Sequence, residues 1–171
     1  MRAGPDIVPP MNQRPKFHLR PIRQDEFPFA EALHLNAMRP LLEDLGAWNE
    51  PLRRAAIRRS FKTSDSRVIV YDGRDIGWLQ IAERDFDYNI AQIQILDEYC
   101  GLGIGSVIMA DLLAKAGQEG RTVSLSAVRN NRAIGLYRRL GFAVIDPSVS
   151  PIIDMVWNPG STATATAATQ G

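Results

Sequence analysis

Glycine occupies every second position from Gly101 to Gly105, in the stretch Asp97-Glu98-Tyr99-Cys100-Gly101-Leu102-Gly103-Ile104-Gly105-Ser106. A strand-like apolar run, Ile90 to Leu96, leads into it, and an amphipathic helical pattern, Ile104 to Ala116, leads out. Such a turn lets the backbone bend sharply and exposes bare N–H groups, to which the helix start adds unpaired donors and the positive end of its dipole. The chemistry suits an anion, most often a phosphate or pyrophosphate. A tight strand-to-helix turn with no ligand has the same signature, and the turn alone does not choose between them.

The rest of the chain narrows the context. At 171 residues it is long enough for one domain with a real core. A formal net charge of +1 gives no electrostatic case for nucleic acid or a membrane surface. The single cysteine, Cys100, forms no intrachain disulfide, so a reducing compartment is expected. No apolar run approaches bilayer length, and the start lacks a basic-then-apolar secretory layout. These features give the expectation of a cytoplasmic protein.

Residues 1–15 hold Pro5, Pro9, Pro10 and Pro15 without sustained periodicity and read as a disordered arm. Phe17 to Ile22 alternates as a first strand, limited by Pro21. A helical pattern opens at Asp25, should kink at Pro40 and stop at Gly46; Asn49-Glu50-Pro51 starts a second helix. Its Arg53, Arg54, Arg58, Arg59 and Lys62 read as a solvated face rather than an anion grip. Arg67–Tyr71 and Ile76–Ala82 form a hairpin about Asp72-Gly73, and Tyr88 to Leu96 follows as an antiparallel neighbour. Strict alternation there puts Ala91, Ile93 and Ile95 on one face and Ile90, Gln92, Gln94 and Leu96 on the other.

Beyond the glycine turn, Ile104, Val107, Ile108, Leu112 and Ala116 form a helical stripe, and Arg121 to Val128 forms a strand. Asn130 or Asn131 caps a short helix that Gly141 ends, and Phe142–Ile145 and Ile152–Trp157 supply two final strands around Asp146-Pro147. Residues 158–171 read as a disordered Ser/Thr/Ala-rich tail. The element order β-αα-βββ-α-β-α-ββ over residues 16–157 gives one α+β domain with a mixed sheet.

Several site types are excluded. Ser106 stands where a dinucleotide fingerprint needs its third glycine, and no acidic strand end follows to hold a ribose. No phosphate-loop Gly-Lys-Ser/Thr and no Gly-x-Ser-x-Gly elbow occurs. His18 and His34 are isolated and read as structural or surface residues, so no metal site is expected. The stretch from Val128 to Phe142 reads as a capped helix packed on the sheet. That explains Leu136, Leu140 and Gly141 fully, but Tyr137 less well, because a buried hydroxyl needs a partner.

Taken together, Gly101-Leu102-Gly103-Ile104-Gly105-Ser106 and the later Asn131, Ala133, Leu136-Tyr137 and Gly141-Phe142 resemble the Gcn5-related N-acetyltransferase superfamily. The first segment resembles its acyl-CoA signature after the fourth strand, the second its helix ending Leu-Tyr-x-x-x-Gly-Phe. Cys100 departs from the arginine or glutamine usual at that position.

The resemblance implies a mostly antiparallel mixed sheet whose fourth and fifth strands splay apart, flanked by helices. It implies acetyl-CoA as cosubstrate, its pantetheine arm on the backbone near Ile95 and Leu96 and its pyrophosphate on the N–H groups from Gly101 to Ser106. Asn131 would hold the splayed strand ends, and an N–H near Leu96 would face the thioester carbonyl. Tyr137 would be the general acid toward the leaving thiolate. The acceptor would be a primary amine on a small molecule or peptide, with no nucleic acid or membrane partner, and a homodimer stays open. The fourth strand offers Gln92 and Gln94 in place of a carboxylate base. Glu83 or Gln94, with Asp85 and Asp87 behind, or a water relay would serve on the acceptor side, and Glu43, Asp44 and Trp48 could line an amine pocket. The same residues also fit a non-catalytic acyl-CoA-binding or regulatory module.

Overall fold

An unusual strand sets the geometry of the molecule. In the computed structural model, which describes residues 8–146 and 148–160, strand β4 (Asp87–Ile95) carries one residue more than its neighbour β3 (Arg74–Glu83) can pair. Gln92 lies opposite Gln80 and Ile90 opposite Ile81, so Ala91 is left over as a bulge. Tyr88 and Ile90 therefore share a face with Ile93 and Ile95, packed with helix α3 (Ile104–Glu119). The expected alternation had placed Ile90 with the glutamines; the extra residue moves it to the other face.

The remaining elements are β1 (Phe17–Pro21), α1 (Phe27–Asp44), α2 (Glu50–Ser60), β2 (Ser66–Tyr71), β5 (Thr122–Val128), α4 (Ala133–Arg139), β6 (Ala143–Val144) and β7 (Ile152–Trp157). Among the described residues, seven strands form one sheet in the order β1-β2-β3-β4-β5-β7-β6, with every neighbouring pair antiparallel except β4 and β5. The mixed, mostly antiparallel α+β sheet flanked by helices is the fold class expected. The parallel pair joins only along Asp87–Ile90 and Thr122–Leu125. Beyond the bulge, β5 stays paired to β7 as far as Val128 while β4 diverges from it.

Local chemistry explains the helices. Proline at the second residue of α1 and of α2 costs no helical hydrogen bond. Asn49 caps α2 through its side-chain oxygen, which accepts from the Leu52 N–H at 3.0 Å. Pro40 does not split α1, which continues to Asp44. The helix ends at Gly46, where φ is +65°. There the Ala47 N–H donates to the Leu42 carbonyl at 2.7 Å and Gly46 to Glu43 at 2.9 Å.

Two cores result. Val68, Val70 and Trp78 pack with Ala30, Leu33 and Ile57 of α1 and α2 on one face. On the other, α3 buries Ile104, Val107, Ile108, Met109, Leu112, Leu113 and Ala116. Each large apolar side chain there contributes roughly 1.5–3 kcal/mol before chain entropy is set against it.

Residues 8–15, expected within a disordered arm, are described. They include a short 3-10 turn at Met11–Gln13, with Arg14 bonded to Asp111 of α3 at 3.1 Å. The rest of that expected arm, residues 1–7, lies outside the described residues, as do Pro147 and residues 161–171 of the expected tail. Among the described residues no helix is long and apolar enough to cross a membrane.

Candidate functional site

Where β4 and β5 separate, backbone groups that would complete the sheet are turned toward the gap. The Leu96 N–H donates to the Ile76 carbonyl at 2.8 Å, which makes that pair one of the bonded pairs of the β3–β4 ladder. Bonded pairs alternate in an antiparallel ladder, so Gln94 and Gln92 also turn their backbone groups to β3, while Ile93 and Ile95 turn theirs toward the gap. The backbone donor near the end of this strand is therefore Ile95, not Leu96. On the facing strand, Arg129 N–H bonds the Pro151 carbonyl at 2.8 Å, and the same alternation turns Ser126 toward the gap.

The gap opens into one continuous depression with three parts. At one end, Gly101, Gly103, Gly105 and Ser106 line a groove of about 570 Å³ together with Ile95, Cys100 and Arg132. Gly101 and Gly103 hold φ at +87° and +82°, the conformation that aligns successive N–H groups around a turn. The first backbone bond of α3 runs from the Val107 N–H to the Gly103 carbonyl at 3.0 Å. The N–H groups from Gly101 to Ser106 meet no backbone carbonyl among the described residues. Leu102 lies at the outer side of the turn, 43% exposed, and Ile104 is buried in the core. The Cys100 thiol lies 3.7 Å from the Ile95 carbonyl oxygen.

Sequence reasoning missed the charge at this end. Arg132 and Arg139 line the same groove, and neither is in an ion pair among the described residues. Their spacing of seven, two turns of helix, is the signal that would have placed both on one face. Both bring positive charge to this end of the groove.

The middle part, about 700 Å³, runs between α1, the end of β4 and α4, and is lined by Ile93, Gln94, Ile95, Asn131 and Tyr137. Asn131 accepts from the Ala133 N–H at 2.9 Å through its side-chain oxygen, and so fixes the start of α4 beside the strand ends. Asn130 ties this corner to α1, donating to the Leu41 carbonyl at 3.2 Å and to Asp44 at 2.8 Å. Tyr137 is 7% exposed beside Phe142, and burial pushes its phenol up to about 12. It is held protonated across the physiological range.

The innermost part is a cavity of about 190 Å³ that shares Gln94, Asn131 and Tyr137 with the groove and adds His34, Arg53 and Gln92. Gln94 is 7% exposed, and its side-chain oxygen finds no partner among the described residues; nor does the buried Nε of Arg53. His34 Nδ1 lies 3.0 Å from the Gln92 side-chain oxygen. Burial above all holds His34 below its ordinary value; the Gln92 bond opposes this and the Arg53 charge adds to it.

Not every candidate is gathered here. Glu83 sits at the opposite, paired end of β4, against Tyr88, with its carboxylate 2.6 Å from Arg121. Asp87 accepts from Thr122 and Ser124 at 2.8 and 2.7 Å at that same end. Trp48 lines a separate surface depression with Glu31 and Arg54. Gln94 alone of the acceptor-side pair reaches the depression.

Residues 64–144 match a family described as "Acetyltransferase (GNAT) domain". No curated protein matches the chain. Among solved structures, the PaiA N-acetyltransferase of Thermoplasma acidophilum in complex with coenzyme A is 13% identical, with a TM-score of 0.63 over 84% of this chain and 99% of that one. The ribosomal-protein-S18-alanine N-acetyltransferase of Escherichia coli is 17% identical, with a TM-score of 0.56 over 88% of this chain and 98% of that one. Arabidopsis thaliana Naa50 in complex with the bisubstrate analogue CoA-Ac-MVNAL is 18% identical, with a TM-score of 0.55 over 83% and 98%. At these identities the likeness is one of fold.

Proposed function

We propose that this chain, whose domain and fold are those of the Gcn5-related N-acetyltransferase superfamily, transfers an acetyl group from acetyl-CoA to a primary amine. The observation that carries this reading is the continuity of the glycine turn, the unpaired edge of β4 and the buried Tyr137 in one depression. The residues suit an acyl-CoA. N–H groups of the turn and the guanidiniums of Arg132 and Arg139 match a pyrophosphate, and Ile93 and Ile95 present amide edges of the kind a pantetheine arm carries. Coenzyme A brings the acetyl group as an activated thioester.

The protein's part is to bind, orient and exclude water. Held against an amine in the inner cavity, the carbonyl carbon is attacked directly, and orientation supplies much of the rate. The Ile95 N–H is the backbone donor placed to bond a developing oxyanion. Tyr137 offers its proton to the departing sulfur. A thiol ionises near 8.5, so its thiolate is a fair leaving group and needs from a phenol held near 12 chiefly a hydrogen bond. Gln94 turns an acceptor oxygen toward the entering nitrogen, and its missing partner is what an amine N–H would supply.

Calorimetric titration with acetyl-CoA, followed by a thiol-release assay across an amine panel, tests the reading. Binding with release is expected. Binding without release makes the chain a non-catalytic acyl-CoA-binding module, and no binding removes both readings.

A further inference from the structure

Polar side chains reach the inner cavity from five elements: His34 from α1, Arg53 from α2, Gln92 and Gln94 from β4, Ser126 from β5 and Tyr137 from the α4 helix. The phenol of Tyr137 is held neutral by burial. That leaves the imidazole as the base to consider. No carboxylate lines this cavity among the described residues. Glu31, one turn earlier on α1, is bonded to Arg54 and Arg58 of α2 at 2.8 and 3.3 Å. Asp97 is exposed and lines the outer groove beside Cys100.

The His34 contact bears on which nitrogen is free. With the Gln92 amide oxygen as partner of Nδ1, the hydrogen sits on Nδ1 and Nε2 keeps its lone pair. Burial, with the Arg53 charge added, disfavours the imidazolium against the opposing Gln92 bond, so that lone pair is available near neutral pH. A primary amine, in contrast, arrives mostly as ammonium and cannot attack until a proton leaves.

We propose that His34, through Nε2, is the general base that takes this proton from the acceptor amine in the inner cavity, with Gln92 as the residue that positions it. The N–H bond of the ammonium breaks, its electron pair stays on nitrogen, and the proton passes to Nε2. The neutral nitrogen then forms the C–N bond as the C–S bond breaks; the acylated nitrogen sheds its remaining extra proton to solvent, the sulfur keeps the C–S electron pair and takes a proton from the Tyr137 hydroxyl, and the phenolate is reprotonated from solvent. The assignment rests on the acyl-transfer reading above.

The test uses the full chain, acetyl-CoA and four amines: glycine, spermidine, phenethylamine and an alanyl tetrapeptide. Thiol release is followed from pH 5 to pH 9. For the best amine, wild-type kcat should fall on the acid side with an apparent pKa below the ordinary imidazole value of about 6.5. His34→Gln should lower kcat about 100-fold or more and abolish that limb, with acetyl-CoA affinity by calorimetry unchanged. Gln92→Leu should give a smaller loss and a shifted tautomer in the ¹⁵N spectrum of His34. A His34→Gln variant that keeps the acid limb, or turns over within threefold of wild type, overturns the proposal. Should that variant fail to fold, the wild-type ¹⁵N spectrum decides. A neutral Nδ1–H tautomer at pH 7 supports the base, and a doubly protonated ring overturns it. A wild-type chain that binds acetyl-CoA yet releases no thiol with any of the four amines overturns the acyl-transfer reading, and the base with it.

Discussion

The Leu96 N–H is bonded to the Ile76 carbonyl at 2.8 Å, and this one contact fixes which amides of β4 face the splay. Proline substitution separates the two sides of the strand. Ile95→Pro removes an N–H at the free edge and breaks no bond to β3, so acetyl-CoA binding should weaken about fivefold, the worth of one backbone hydrogen bond of ~1 kcal/mol. Leu96→Pro removes the bond to Ile76 and should lower thermal stability more than Ile95→Pro does. Calorimetry and thermal denaturation on the two variants check this. Equal effects on affinity would refute the assignment of edges.

Tyr137→Phe keeps the ring that packs on Phe142, at a centroid distance of 5.9 Å, and removes only the hydroxyl. Turnover should fall about 10- to 100-fold with acetyl-CoA affinity unchanged, within the usual range for a single proton donor. Because burial holds the phenol near 12, Tyr137 should impose no loss of kcat between pH 7 and pH 10. Unchanged turnover in the variant would make Tyr137 a packing residue.

The sequence carries some of this site openly and hides the rest for physical reasons. The glycines at 101, 103 and 105 and the cap at Asn131 are local signals, because each turn or cap is decided by residues adjacent in the chain. The bulge at Ala91 is not local: nothing in Ile90-Ala91-Gln92 marks which residue β3 will skip, and the error reverses Ile90. His34 looked isolated because its partner Gln92 is 58 residues away, and only the packing of α1 on β4 joins them. Glu83 read as the nearest alternative for a base, but β3 pairs it with Tyr88 at the closed end of β4.

Arg132 and Arg139 predict a salt-sensitive cosubstrate site. Replacing both with glutamine should weaken acetyl-CoA binding severalfold and flatten its dependence on ionic strength, as read by titration at two salt concentrations. Cys100→Arg, at the lip of the same groove, should tighten binding. An unchanged affinity in the double variant would place the phosphates elsewhere.

Acid stability should follow Glu26. Its carboxylate bonds the Arg20 guanidinium at 2.8 and 3.0 Å and accepts the Arg23 backbone N–H at 2.8 Å. Those bonds, that to Arg20 first, hold it at about 2. A carboxylate depressed in the folded state stabilises above its unfolded value, near 4.3, and that contribution is lost as pH falls toward 2. Urea midpoints measured from pH 6 to pH 2 should decline more steeply in the wild type than in Glu26→Gln. Parallel curves would mean that the pair with Arg20 does not persist in solution.

Gly77→Ala joins strand packing to the site in one substitution. Gly77 lies on β3 opposite Ile95, and a Cβ there would fall 2.5 Å from the backbone oxygen of Gln94 and 3.0 Å from Ile69 Cδ1. The side chain of Ile69 can yield, but the Gln94 carbonyl belongs to the ladder and cannot move without taking β4 with it. Overpacking of this kind costs about 1–3 kcal/mol. The strain falls on the residues that turn Gln94 into the cavity and the Ile95 N–H into the gap, so kcat should drop by more than the unfolded fraction explains. Gly117→Ala is the control, because its Cβ would meet only the far edge of the Trp157 ring at 3.5 Å, an ordinary contact. Denaturant titration and thiol release on both variants check the prediction. A Gly77→Ala protein as stable and as active as Gly117→Ala would show that β3 and β4 can separate without disturbing the site.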